Sequence, residues 1–244
     1  MRALRAQVVA EITMTLRRGE TLLLTLGIPL LLLVFFSEVK IVSSETARPV
    51  DVVTPGILAL AIMSTSMVSL GIATGFERGY GVLKRLGSTP LGTSRLLGAK
   101  IIATLLIEVL QGALIVVVGL ALGWKPSGGL MGGMVAVVAC IVGSVAFGGI
   151  GLFLAGRLRA EVNLAAANGL YLVFLLLGGM VVPVRILPTG LRVVAEVLPA
   201  AALSSVIRDA IGATSAYSGS WIVLLAWFVI APVAAAFTFR FQGD

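Results

Sequence analysis

The feature that most restricts this chain is the stretch 76–100, FERGYGVLKRLGSTPLGTSRLLGAK, a basic interruption between apolar runs that are each long enough to cross a bilayer. It holds Arg78, Lys84, Arg85, Arg95 and Lys100 against one acid, Glu77. So many charges do not stay in hydrocarbon, so the stretch belongs in water or in a protein interface. Its flanks belong in lipid, where long apolar segments are helical. The fold class that meets both demands is an all-α polytopic membrane protein. Composition agrees, since 59% of the 244 residues are hydrophobic and 12% are charged, against about a quarter charged in a soluble domain.

The hydrophobic pattern predicts one transmembrane domain over 1–244 with six spans, at about 21–37, 52–75, 101–123, 129–156, 163–182 and 220–239. Residues 1–20 precede them. Leu4, Val8, Ile12 and Leu16 form one helical stripe there, and Arg2, Arg5, Arg17 and Arg18 supply a cationic side. That pattern predicts an amphipathic helix lying in the membrane interface. A signal peptide is the competing reading of a basic start before an apolar run, but no small-residue cleavage site directly follows Phe36. Trp124, Lys125 and Pro126 read as an interfacial anchor followed by a breaker. Residues 184–219 are too polar for a span and too apolar for a loop, and Pro183, Pro188 and Pro199 divide them. Short re-entrant helices before the last span fit best. With six spans, twelve Lys and Arg fall on the side of the termini and six on the other. The positive-inside rule then places both termini and 76–100 in the cytoplasm, and the expected location is the plasma membrane of a bacterial cell.

Charge and chemistry narrow the function. The net charge of +7 sits at helix ends and in loops, where it sets topology and meets anionic lipid, so no nucleic-acid partner is expected. There is no histidine and one cysteine, Cys140, so zinc and haem sites of the usual kinds are not expected. The glycines at 92 and 98 before Lys100 have the wrong spacing for a phosphate loop, so no nucleotide or other cofactor is expected on this chain. Nothing resembles a catalytic set, and no enzyme is predicted.

Glu108 is the one acid deep inside a predicted span, followed a turn later by Gln111. A charge at that depth costs about 2.5 kcal/mol or more, so it needs a partner or a polar path. It either lines a substrate route or serves packing. Thr65 and Ser69 lie four apart on one face of the second span and either line the same route or bond to their own helix. Asn163 and Asn168 read as structural, and the glycines repeating at four-residue spacing, Gly71, Gly75 and Gly79 among them, as packing signals.

Glu77-Arg78, Gly81, Leu83, Arg85-Leu86 and Thr89-Pro90 resemble the signature of ABC-2 type exporter permeases. The resemblance extends to Arg17-Arg18 with Pro29, to Pro55-Gly56, and to Gly179, Pro183, Leu187-Pro188, Leu198-Pro199 and Arg208 before the last span. It is nearest to the daunorubicin-resistance-like efflux permeases. One departure is Lys84, where that family often has an acid.

The resemblance implies two permeases, identical or related, working with two ATP-binding cassette subunits that hold the ATP and magnesium. It implies that 76–90 is a coupling helix, with Glu77, Arg78, Gly81, Leu83, Lys84, Arg85, Leu86, Thr89 and Pro90 at the ATPase interface. Leu83 and Leu86, three apart, are expected to fill a pocket there. Few aromatics and an apolar lining favour a lipophilic drug or lipid as substrate. An ion-coupled secondary transporter using Glu108 is the alternative, but it calls for more buried ionisable groups and inverted repeats than this chain displays.

Overall fold

The structure is a computed structural model, described over residues 2–17, 19–38, 48–87, 93–180, 184, 187–213 and 215–239. Among these the fold is helical throughout. Helix α1 is Arg2–Arg17 and α2 is Gly19–Glu38. A single long helical run then comprises α3 (Pro49–Met63), a π-helical turn at Ser64–Ser69, and α4 (Leu70–Gly79). The short α5 (Val82–Gly87) precedes α6 (Thr93–Ala121), α7 (Gly129–Arg157) and α8 (Ala160–Leu177). Helices α9 (Thr189–Glu196) and α10 (Pro199–Ala210) lead into α11 (Ser220–Thr238).

Among the described residues, five helical runs are long and apolar enough to cross a membrane, and the α9–α10 pair makes a sixth only if its two arms, bent by 85°, count as one broken span. The second, third, fourth, fifth and last expected spans each fall on one of the five. The expected first span falls on α2, whose described apolar part is Thr25–Glu38. Boundaries differ where helices run past the lipid-soluble stretch: the second run starts at Pro49 and ends at Gly79, and α6 begins at Thr93. Arg95 and Lys100 therefore belong to a helix rather than to a loop.

Helix α7 is the centre of the bundle, packed by α11, α4 and α10. Its crossing with α4 is close because both surfaces are glycine. A Cβ at Gly71 would come within 3.0 Å of the Gly151 backbone, so any larger residue would push the helices apart. Asn163 of α8 is fully buried and donates to the Gly71 carbonyl at 2.9 Å. Asn168, in contrast, donates to the Leu164 carbonyl within its own helix.

The two ends of the bundle differ. At one end α4, α5, the start of α6 and the end of α11 meet, where Leu83, Leu96 and Phe239 pack together. At the other, Val50, Trp124 and Ile211 form a second small core. Trp124 is thus buried rather than free to anchor in the interface. Helix α10 is mostly buried, α9 is mostly exposed, and the Trp227 indole of α11 donates to the Val197 carbonyl at their corner at 3.0 Å.

Candidate functional site

The residues singled out by sequence fall into two places: the α5 end and the middle of the bundle. The α5 end is built from a turn. Helix α4 stops at Gly79, and Gly81 follows with φ of 72°, a left-handed conformation that glycine adopts without a Cβ penalty. Its N–H donates to the Arg78 carbonyl at 3.0 Å, and its own carbonyl accepts from Arg85 at 3.3 Å to start α5. Gly81 therefore sets the angle between the long second run and the short helix.

Two cationic side chains tie this end to its neighbours. The Lys100 ammonium of α6 is 1% exposed and sits 2.8 Å from a Glu11 oxygen and 2.6 Å from a Glu77 oxygen. One buried cation thereby joins α1, α4 and α6. Gln7 adds a hydrogen bond to Glu11 at 2.9 Å. The inward face of α1 consequently carries an acid, while Leu16 of the expected apolar stripe is exposed. Arg78 is also buried and donates to the Ala155 carbonyl at 2.7 Å, pinning the end of α7 to α4.

These contacts change the reading of the signature. Glu77 and Arg78 brace this end from within and do not present their charges outward. Leu83 is fully buried against Leu96 and Phe239, so the expectation that it fills a partner's pocket is corrected: its pocket is inside this chain. The outward groups are Tyr80, 77% exposed and stacked on Phe76, with Val82 and Arg85. Tyr80 and Val82 were not singled out by sequence, because aromatic and aliphatic side chains beside a helix end carry no outward signal without the turn geometry. The side chains of Lys84 and Leu86, and Thr89 and Pro90 altogether, lie outside the described residues.

In the middle of the bundle, Gln111 is a connector. It accepts from the Thr65 hydroxyl at 3.0 Å and donates to the Thr25 carbonyl at 2.7 Å, joining α6 to the π turn and to α2. Thr65 and Ser69 line a small internal cavity of about 70 Å³ between α1, α2, α4 and α6, together with Glu11, Glu77 and Lys100. The π turn adds a residue to the helical circuit, a device common at functional positions. Here Thr65 meets α6 while the Met67 backbone lies against Gly151 of α7.

Glu108 stands apart from that network. It is buried, and neither carboxyl oxygen has a hydrogen-bond partner among the described residues. With Gln111 and Cys140 it lines a cavity of about 520 Å³ between α3, α6 and α7.

The chain matches the ABC-2 type transporter family over residues 2–211. It is also similar to a protein of Bacillus subtilis (strain 168) named "Putative transport permease YvfS", at 24% identity over 234 residues and 94% of each chain. Nearly the whole helical chain, from α1 through the clamped α5 end to α10, falls within that match, and on it the chain belongs to the ABC-2 type transporter family as a multi-pass membrane transport permease.

Proposed function

We propose that this chain is the membrane subunit of an ATP-driven exporter, paired with a second permease copy or relative and with cassette ATPase subunits. ATP and magnesium would be held by the ATPase, and a lipophilic drug or lipid would leave the cytoplasm or inner leaflet. The observation that carries this reading is the mechanical construction of the α5 end. The Gly81 turn and the short helix project Tyr80, Val82 and Arg85, and the elements that carry them are joined by buried contacts: Leu83 of α5 packs on Leu96 of α6 and on Phe239 at the end of α11, Lys100 of α6 binds α1 and α4, and Arg78 of α4 binds α7. A partner that moved α5 would move the long second run with it. The excess of Lys and Arg on this side supports a cytoplasmic α5 end and cytoplasmic termini in a bacterial plasma membrane. On that orientation α1 lies along the inner leaflet, and the α9–α10 bend is a re-entrant pair in the outer one.

Docking is testable at the outward groups. Val82→Asp and Tyr80→Ala are expected to reduce recovery of the ATPase with the tagged permease by about tenfold, as loss of a central aromatic or apolar anchor does, with thermal stability unchanged. Leu83→Asp should instead lower thermal stability, because it places a carboxylate between Leu96 and Phe239. Full recovery of ATPase by both Val82→Asp and Tyr80→Ala would place the interface elsewhere.

The second reading, an ion-coupled transporter, is favoured only by the unpartnered Glu108 carboxyl. Reconstituted permease separates the two. Uptake into inverted vesicles should require both the ATPase subunit and ATP. Uptake driven by a proton gradient without the ATPase, and lost in Glu108→Gln, would favour the ion-coupled mechanism.

A further inference from the structure

The cavity between α3, α6 and α7 has a composition that the exporter reading does not use. Its volume of about 520 Å³ falls in the range of about 300–1,000 Å³ typical of small-molecule sites. Its walls are almost wholly apolar, from Leu58 and Ile62 on α3 to Val109 on α6 and Val137 and Ile141 on α7. Glu108 lies thirteen residues from each end of the 27-residue apolar part of α6, Arg95–Ala121, which puts its carboxyl near the middle of the span.

The polar groups around it leave a specific deficit. Gln111, also at the cavity, accepts from Thr65 and donates to the Thr25 carbonyl, and makes no hydrogen bond to Glu108. The Ser66 hydroxyl, set close to Glu108, donates to the Ile62 carbonyl at 2.6 Å. The Ser144 hydroxyl is the other neighbour and has no partner of its own among the described residues, which makes it the one uncommitted hydroxyl beside the carboxyl group. The carboxyl group therefore has two oxygens without a hydrogen bond and at most one neutral hydroxyl at hand to serve them, and its residue is only 8% exposed in an apolar cavity. What completes such a site is a positive charge with N–H donors attached to an apolar body.

We propose that this cavity binds a lipophilic ammonium ion, with its N–H donors on the Glu108 carboxylate and its aliphatic body along α3 and α7 towards Trp124. The Trp124 ring packs beside Gly119. Glu108 and Gly119 are eleven residues apart on α6, a rise of about 17 Å, which a dodecyl chain nearly covers. The bound ion is an amphipathic amine or the ammonium headgroup of a membrane lipid. Only the further step, that the bound ion is the exported cargo, rests on the exporter reading.

The test uses the permease alone in phosphatidylcholine nanodiscs, so its outcome is independent of transport. Trp221→Phe with Trp227→Phe leaves Trp124 as the one tryptophan of three. A dibrominated dodecylamine should quench it saturably, and the dibrominated alcohol of the same chain should do so at least tenfold more weakly. Glu108→Gln should weaken the amine by at least about tenfold, the size expected for a charge-assisted contact, and Glu108→Asp should retain most of the affinity. Competition by phosphatidylethanolamine would identify the lipid as the natural source, and its absence would identify a non-lipid amine. Quenching that is linear in amine, or equal for amine and alcohol, overturns the proposal. The amine and alcohol comparison stands on the native glutamate, so it decides even if Glu108→Gln does not fold.

Discussion

Lys100→Met is expected to destabilise the protein by about 3–5 kcal/mol, the usual cost of removing one partner from a buried ionic cluster. The Lys100 ammonium is shared between Glu11 and Glu77, whose side chains are 11% and 15% exposed. Methionine keeps most of the length of the side chain but leaves two carboxylates facing each other in a small cavity. Thermal unfolding of purified protein should show the loss, and protease accessibility should locate it at α1 and the end of α4. Glu11→Gln alone should cost much less, because Glu77 still neutralises the ammonium. The triple variant Glu11→Gln, Glu77→Gln, Lys100→Met should recover most of the stability, since it removes every charge together. A Lys100→Met protein that melts like the parent would show that the cluster does not hold α1 to the bundle.

This cluster also marks the limit of what sequence could reveal. Helices and their order were legible because apolar length and charged interruptions are local properties, read directly from the chain. The glycine repeat was legible as packing, and Gly71 does meet Gly151. Lys100 read only as one more charge of the basic interruption, and its partner Glu11 drew no attention. The pairing joins residues 89 positions apart in sequence, and only the docking of α1 on α6 brings them together. Leu83 failed for a related reason. A leucine in a short basic helix looks outward when the helix is considered alone, yet the Gly81 turn rotates it onto Phe239 at the far end of the chain. Glu108 was recognised from its depth, whereas its lack of a hydrogen-bond partner depends on where the neighbouring polar groups are already committed.

At the opposite end, Gly56→Ala and Arg208→Ala are expected to damage the same clamp. Arg208 on α10 is buried, and its guanidinium donates to the Val52 carbonyl at 2.6 Å, to Gly179 at 3.0 Å and to Met180 at 2.9 Å. It thereby fixes α10 to the first turns of α3 and to the chain leaving α8. Gly56 makes room for this arrangement: a Cβ there would overlap the Met180 carbonyl oxygen and approach the Arg208 guanidinium at 2.8 Å. The obstruction is backbone, so no rotamer change relieves it. Arg208→Ala should cost at least about 2–3 kcal/mol through the carbonyls it strands. Arg208→Lys should rescue little, because a single ammonium cannot reproduce a planar fork across three acceptors. Gly56→Ala should be comparably harmful, and the double variant should be hardly worse than the poorer single, since both lose one arrangement. Thermal midpoints across that four-member cycle measure the coupling. Losses that simply add would mean that Gly56 and the guanidinium act separately, with the glycine serving only the approach of α3 to the chain beyond α8.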